Sequence, residues 1–191
     1  GTGLPVSDPG TGPICRSFNP TTDPTRTVPR IPNLLANTFY SGEILPTTVR
    51  SMKWRVTARD GKGGVNTSDT TINVASSGPF KVTSPNSGGP YSGGITVTWD
   101  VAGTNAGTVS CPSVRVLLST DGGNTFPTIL AGSVPNSGSA IVLLPNITTS
   151  TARIRIEAIG NIFFDISDAN FSIQPASAGV SFVSGGSGTA S

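Results

Sequence analysis

The stretch that decides the fold is Gly94-Ile95-Thr96-Val97-Thr98-Trp99-Asp100-Val101. Its apolar side chains alternate with Thr and Asp, and this period of two indicates a strand with one buried face. β-branched residues and a tryptophan also suit a half-buried pleated surface. A buried strand needs paired neighbours, and the chain from Phe80 to Ile173 supplies further alternating runs that fit this role.

Strand-like runs recur through the second half of the chain at a spacing of roughly 10–15 residues, with turns rich in Gly, Pro and Asn between them. The runs lie at 80–83, 114–118, 128–130, 140–144, 153–157, 162–166 and 170–173. This pattern predicts an all-β fold over residues 79–175, a β-sandwich of the immunoglobulin or fibronectin type III kind.

The first half contains one clear β-hairpin. Met52, Trp54, Val56 and Ala58 alternate with polar residues, a Gly-rich turn follows, and 65–74 return as the second strand. Residues 1–48 are interrupted by eight prolines. Long strands are therefore not expected there, and a helical turn is predicted at 32–37.

We interpret residues 1–78 as a first β module that lacks its opening strands, joined to the second module by a small-residue linker at 75–79. Two explanations are open. Either a strand from another molecule completes the module, or the opening strands belong to a part of the protein that precedes Gly1.

The composition excludes several classes of function. Charged residues make up 12% of the 191 residues and the net charge is +2, too small to argue for nucleic acid or an anionic membrane surface. No run approaches the roughly 18–20 apolar residues of a membrane span. Histidine is absent, which excludes a Ser-His-Asp triad, a Cys-His pair and a His-based zinc site. No carboxylate pair stands out as a glycosidase pair. We therefore expect no catalytic residue and no cofactor.

The sharpest local motif is Ser119-Thr120-Asp121-Gly122-Gly123-Asn124-Thr125-Phe126, which fits the Asp-box pattern Ser-x-Asp-x-Gly-x-Thr-Trp/Phe. In such a turn the carboxylate of Asp121 accepts hydrogen bonds within the loop, Gly123 supplies a positive φ, and Phe126 packs beneath. Ser119 and Thr125 are the other pattern positions. One copy indicates a structural turn and implies neither a propeller nor a glycosidase.

Two further pairs of residues are candidate sites. Asp165 and Asp168 could offer oxygens to calcium, which takes about six to eight ligands, although turn residues bonded to backbone are the competing interpretation. Cys15 and Cys111 are the only cysteines. They fit either a disulfide that joins the two modules or buried free thiols, and both remain open.

Basic residues gather on or beside the predicted hairpin. They are Arg50, Lys53, Arg55, Arg59 and Lys62. They form either a basic strip for an acidic polysaccharide or the ordinary solvated face of a sheet.

Several stretches of the second half share a likeness with a known family: Phe80-Lys81-Val82-Thr83-Ser84-Pro85-Asn86, Val97-Thr98-Trp99-Asp100-Val101-Ala102-Gly103-Thr104, Val114-Arg115-Val116-Leu117-Leu118-Ser119-Thr120-Asp121-Gly122-Gly123 and residues 152–171. They resemble the Ig-like modules of large secreted bacterial proteins, above all those that follow reprolysin-type metallopeptidase domains.

Two stretches of the first half, Arg16-Ser17-Phe18-Asn19-Pro20 and Arg55-Val56-Thr57-Ala58-Arg59-Asp60, are similar to the PKD/cadherin-like module that precedes the Ig-like module in such proteins. The peptidase's metal-binding helix with its paired histidines has no counterpart in this sequence. The resemblance therefore implies the fold and an extracellular or cell-surface location, but not the catalytic activity.

We thus expect two tandem Ig-like β-sandwich modules, 1–78 and 79–175, followed by a Gly/Ser-rich tail at 176–191. The expected function is that of a non-catalytic structural or adhesive module of a secreted or surface bacterial protein. Its expected partners are other copies of itself or neighbouring domains of the same precursor. The alternative is a polysaccharide-binding accessory module of a secreted hydrolase or metallopeptidase, which exposed coplanar aromatic rings would favour.

The tail carries a detached strand-like run that contains Val180, Phe182 and Val183. An open sheet edge invites the addition of such a strand. If the tail of one copy completed the first module of the next, the contact would not close on itself and repetition would build a head-to-tail filament.

Overall fold

The computed structural model describes residues 6–176, and it confirms the prediction of an all-β fold. In chain order the elements are α1 (Ile31–Leu35), β1 (Arg50–Arg59), β2 (Val65–Val74), β3 (Lys81–Ser84), β4 (Gly94–Asp100), β5 (Ser113–Ser119), β6 (Thr128–Pro135), β7 (Ser139–Leu143), β8 (Thr149–Ala158), β9 (Phe164–Ile166) and β10 (Phe171–Ile173). Within the described residues, no helix has the length and apolar content needed to cross a membrane.

The strands from β3 to β10 form two antiparallel sheets packed face to face. One sheet has the order β10-β8-β5-β6, with β9 also paired to β8, and the other has the order β3-β4-β7. β4 is therefore the central strand of the smaller sheet. Val97 and Trp99 on its inner face are 0% and 4% exposed, and they belong to one apolar core with Val116 and Ile154 of the larger sheet.

A buried polar group anchors the loops around Trp99. The indole Nε1 of Trp99 donates to the side-chain oxygen of Asn136 at 2.8 Å. The amide of Asn136 donates in turn to the hydroxyl of Thr104 and to the carbonyl of Cys111, both at 3.1 Å. These bonds satisfy the polar atoms that the strand pairing leaves inside the core, as buried polar groups require.

β1 and β2 form a separate two-stranded sheet with ten paired positions, from Arg50↔Val74 to Arg59↔Val65. Met52 and Trp54 are half-buried, but Val56 is 60% exposed. The prediction of one buried face is therefore wrong at the tip of the hairpin, and at its base the face is half-buried. The reason is that the proline-rich residues 6–48 cover the base alone.

The hairpin half of the chain rests on the sandwich through α1 and the turn after it. The guanidinium Nη2 of Arg153 donates to the carbonyl of Leu35 at 3.3 Å, and the amide of Asn37 donates to the carbonyl of Asp168 at 2.9 Å. Gly123 has a φ of +94°, and a Cβ there would lie 2.4 Å from a methyl of Leu35. The positive φ favours glycine at position 123, and a Cβ there would also displace the Leu35 methyl.

Candidate functional site

The Asp-box turn is a closed set of hydrogen bonds between β5 and β6. The Asp121 carboxylate accepts from the Ser119 hydroxyl at 2.6 Å, from the Thr125 hydroxyl at 2.7 Å and from the Thr125 backbone N–H at 3.0 Å. These bonds, led by that of Ser119, hold the pKa of Asp121 well below its usual range. Phe126 is half-buried, and the guanidinium of Arg155 lies 5.8 Å from its ring centre. The oxygens of Asp121 thus accept hydrogen bonds within the turn itself. Gly123 of the same turn lies against Leu35 of α1.

Asp165 links the two sheets at their β3–β9 side. Its carboxylate accepts the backbone N–H of Val82 at 2.7 Å, a group on the outer edge of β3. Burial raises the pKa of Asp165 to about 6, and the nearby charge of Asp168 adds to the rise. Asp168 itself accepts from the side-chain amide of Asn86 at 2.8 Å. Both calcium candidates therefore bond to the β3 segment, and residues 6–176 place no third Cys, Asp or Glu with them as a metal-binding group.

The raised pKa of Asp165 makes stability depend on pH. Between the ordinary value of 3.8 and the folded value of about 6, the folded chain binds the proton more tightly than the unfolded chain does. The free energy of unfolding contributed by this group therefore falls as the pH rises through that window.

We expect Asp165→Asn to raise the free energy of unfolding by up to about 3 kcal/mol at pH 7, since each unit of pKa shift corresponds to about 1.4 kcal/mol. At pH 4 the variant should match the parent, because the parent carboxyl is then largely protonated. The amide keeps an oxygen for the Val82 N–H. Urea unfolding at both pH values tests this, with Asp100→Asn, at an exposed carboxylate of β4, as the control. An Asp165→Asn variant that is less stable at pH 7 would contradict it.

Cys15 and Cys111 are free thiols, so the predicted disulfide between them is not formed. Cys111 is 2% exposed, and its Sγ donates to the carbonyl of Ser113 at 3.3 Å within the sandwich. Cys15 lies in the other half of the chain, where it pairs with Glu43 in an isolated β-bridge. Each thiol is held by its own surroundings, and burial raises the pKa of Cys15.

Residues 16–54 are held together by a stack of alternating guanidinium groups and aromatic rings. Its order is Arg16, Tyr40, Arg30, Phe18, Arg26 and Trp54. Successive distances from guanidinium carbon to ring centre are 5.0, 3.9, 5.3, 3.5 and 5.5 Å, all within the cation–π range of about 6 Å. The stack takes the place that an apolar core has in the sandwich.

The carboxylate of Glu43 lies beneath this stack and is 1% exposed. It accepts the backbone N–H of Arg30 at 3.0 Å and the guanidinium Nη2 of Arg30 at 3.0 Å, and the guanidinium of Arg26 approaches to 4.0 Å. A buried carboxylate with these partners is adequately paired. Glu43 thus connects the loop after Phe18 to the segment that leads into β1.

The basic residues of the hairpin do not form one strip. Arg50 faces the covered side, where its guanidinium donates to Asp8 at 2.8 Å, and backbone N–H groups of Thr47 and Gly10 lower the pKa of Asp8 to about 2. Arg55 lies on the opposite face and forms a bidentate pair with Asp69 at 2.6 and 2.8 Å. Lys53, Arg59 and Lys62 are exposed. The arrangement is that of an ordinary solvated face.

A cleft of about 380 Å³ separates the base of β1 from the segment 12–15. Residues 50–54 form one wall, and residues 12–15, which include Cys15, form the other. The segment behind the second wall is extended, since the N–H of Ile44 donates to the carbonyl of Ile14 at 3.2 Å and the N–H of Arg16 to the carbonyl of Gly42 at 2.8 Å. The cleft therefore lies between two extended stretches of backbone.

Two buried donors at this cleft lack an acceptor among the described residues. They are the indole Nε1 of Trp54 and the guanidinium Nε of Arg50, and both residues line the cleft. An unsatisfied buried donor costs about 1–3 kcal/mol and is rare in folded proteins. Neither nitrogen has accessible surface, so an acceptor placed in the cleft does not reach either donor in this conformation.

Sequence reasoning did not find this cleft, Glu43 or the guanidinium stack, because these groups lie far apart in the chain and follow no period. The orphaned N–H of Trp54 had no signal in the sequence at all. The segment with Val180, Phe182 and Val183 lies outside the described residues.

No protein-family model matches the chain, and no curated protein matches it. The resemblance to Ig-like and PKD-like modules of secreted bacterial proteins therefore stays a prediction, and it rests on the stretches of sequence that carry it.

Proposed function

We propose that this chain is a non-catalytic structural or adhesive module of a secreted or cell-surface bacterial protein, and that it associates with further copies by strand addition at its hairpin. The observation that carries the proposal is that the β1–β2 sheet has two unpaired edges. Within residues 6–176 this sheet has two strands, so the outer edge of each strand has no strand partner.

An isolated two-stranded sheet is marginally stable in water. The hairpin has ten residues in each strand, and its tip exposes Val56 and Val65 at 60% and 53%. Open edges with apolar side chains are the usual acceptors of an added strand. A third strand along the hairpin would stabilise it and join two molecules by the same contact.

A catalytic role has less support. The Asp121, Asp8 and Asp60 carboxylates accept backbone N–H groups in their own turns or from nearby loops. Asp165, the carboxylate whose pKa approaches neutrality, is bonded to β3 and holds the sheets together. This use of the carboxylates is that of a structural module.

The polysaccharide-binding alternative gains no support from the aromatic residues. The ring of Phe18 lies 3.5 Å from the guanidinium of Arg26, and Tyr40 lies 3.9 Å from that of Arg30. Tyr91 packs edge-on against Phe171 in the sandwich. A platform for sugar rings needs open, coplanar aromatic faces, whereas each of these rings packs against a neighbouring side chain.

Light scattering on the full chain over a range of concentrations tests the proposed function. We expect species larger than a monomer that increase with concentration and extend beyond a dimer, because a head-to-tail contact does not close. Removal of residues 178–191 should leave a folded monomer, and removal of 186–191 alone is the matched control. A full chain that stays monomeric at the highest concentration would refute the proposal.

A further inference from the structure

The outer edge of β7 is a docking site for the tail of the same molecule. We propose that, in a molecule that is not joined to a neighbour, residues 179–184 pair with this edge and add a strand to the smaller sheet. The inference goes beyond the proposed function and does not depend on it. A tail held on β7 must leave that edge before it can join the hairpin of another molecule.

The sandwich protects the other three edges of its two sheets by separate means. At β3 the carboxylate of Asp165 accepts the outward N–H of Val82 at 2.7 Å. At β10 the segment 88–91 bonds the backbone of residues 172–174. At β6 the pairing with β5 shifts register twice, and the strand ends at Pro135. β-proteins block their edges in such ways because an open edge accepts foreign strands.

The edge of β7 has no such protection among the described residues. β7 pairs with β4 at five consecutive positions without a shift of register. Its sequence, Ser139–Leu143, contains neither a proline nor a charged residue. Within residues 6–176 no strand lies on its other side. A regular, uncharged edge of this kind is suited to the addition of a strand.

The direction of the backbone groups shows which residues would receive that strand. The N–H of Leu144 donates to the carbonyl of Gly93 and therefore points toward β4. Successive residues of a strand direct their backbone groups to alternate sides, so the odd-numbered residues of β7 direct theirs to the open edge. Two of these are Ile141 and Leu143, whose side chains are 81% and 72% exposed, the largest fractions for large apolar side chains among the described residues.

The chain brings the tail to one end of this edge. The N–H of Ala176 donates to the side-chain oxygen of Asn146 at 3.1 Å, and Asn146 follows Leu143 by three residues. Because consecutive Cα atoms are about 3.8 Å apart, Leu143 lies within about 11 Å of Asn146. Residues 177–179 span about 10 Å when extended. The tail can therefore turn back along β7 from this point, antiparallel to it.

This short connection favours the tail of the same chain over that of a second copy. Two segments joined by a short linker meet at an effective concentration on the order of millimolar. The tail of another molecule must compete with that value at the concentration of the protein itself. In dilute solution the edge of β7 is therefore occupied from within the molecule.

Residues 179–184 have the sequence that such an edge requires. They contain no charged residue and no proline, and six residues match the five of β7 in length. In a strand Val180 and Phe182 share one face, and Val183 lies on the other. β7 likewise has apolar side chains on both faces, so either face of the added strand would meet apolar neighbours.

Residue-resolved hydrogen exchange measured by NMR tests the proposal. In the full chain the outward N–H groups of Ile141 and Leu143 should be protected, and removal of residues 178–191 should make both exchange at least roughly tenfold faster. The N–H of Val142, which faces β4, is the internal reference and should change little. Removal of 186–191 alone is the matched control and should leave all three rates unchanged.

Phe182→Asp in the full chain tests the apolar run itself, because a charged side chain opposes burial against the edge. This variant should lose the protection of Ile141 and Leu143 as the truncated chain does. Ser187→Asp adds the same charge outside the run and should keep both amides protected. Protection that survives in Phe182→Asp would overturn the assignment of residues 179–184 to this edge.

A mixture of two chains separates the tail of the same molecule from that of a second copy. When the isotope-labelled chain without residues 178–191 is mixed with the unlabelled full chain, its amides at Ile141 and Leu143 should exchange as fast as they do alone. Protection regained in the mixture, or protection that rises with protein concentration, would assign the edge to a second copy and overturn the inference. Equal exchange in the full and truncated chains would overturn it as well. A full chain that stays monomeric while both amides are protected would reject the proposed function and support this inference.

Discussion

Trp99→Ala should destabilise the sandwich by roughly 3–5 kcal/mol, the cost of a large-to-small change in a packed core. Trp99 is 4% exposed and contributes to the core that both sheets share. The substitution also leaves the side-chain oxygen of Asn136 without its donor at 2.8 Å, and Asn136 is itself 2% exposed. This second loss puts the expected cost at the upper end of the range.

The urea midpoint measured by far-UV circular dichroism tests this expectation, since a cost of this size is a large part of the roughly 5–15 kcal/mol of a typical domain. Trp99→Phe retains most of the volume, loses the hydrogen bond and should fall between the parent and Trp99→Ala. Trp54→Ala is the matched control, because Trp54 is half-buried. A midpoint for Trp99→Ala equal to that of the parent would show that the register of β4 is wrong.

The same strand explains why the sandwich could be predicted. In β4 the alternation of apolar and polar residues continues for the whole strand, and Gly and Pro turns separate the strands on both sides. These signals are local, so each strand is recognisable without its partner. Pairing then follows from burial, because a one-residue shift would turn Val97 and Trp99 to solvent.

The hairpin shows the limit of that reasoning. The alternation from Met52 to Ala58 predicts one buried face, but periodicity specifies only which residues share a face and not what covers it. In the structure Val56 is 60% exposed, whereas the guanidinium of Arg26 lies 5.5 Å from the ring centre of Trp54. Patterns within a strand hold no information about contacts of this kind.

Polar contacts between distant parts of the chain were the least predictable part of the candidate site. Asp8 and Arg50 are 42 residues apart in the chain, and Asn37 and Asp168 are 131 apart. Neither the Asp8–Arg50 ion pair nor the Asn37–Asp168 hydrogen bond creates a spacing that a sequence pattern could reveal. The Asp-box turn, by contrast, was predictable because Ser119, Asp121 and Thr125 bond within one short segment.

Glu43 is the residue on which the cohesion of the hairpin half most depends. Its buried carboxylate bonds the backbone and guanidinium of Arg30 and lies 4.0 Å from Arg26, and both arginines stack on Phe18. Loss of the Glu43 carboxylate leaves the guanidinium groups of Arg26 and Arg30, which both stack on Phe18, without a negative charge beside them. The segment 14–16, which pairs with 42–44, would then lose its link to Arg26 and Arg30.

We expect Glu43→Ala to cost about 3 kcal/mol, the low end of the range for breaking a buried ion pair, because the side chain of Arg30 is 35% exposed and can regain water. Glu43→Gln keeps the hydrogen-bond acceptor and should cost less. Hydrogen exchange should accelerate at residues 14–44 and remain unchanged in the sandwich, since the two halves have separate cores. Asp69→Ala, which breaks the exposed pair with Arg55, is the control and should alter neither measurement. Equal exchange in Glu43→Ala and Asp69→Ala would mean that the guanidinium stack holds without its carboxylate.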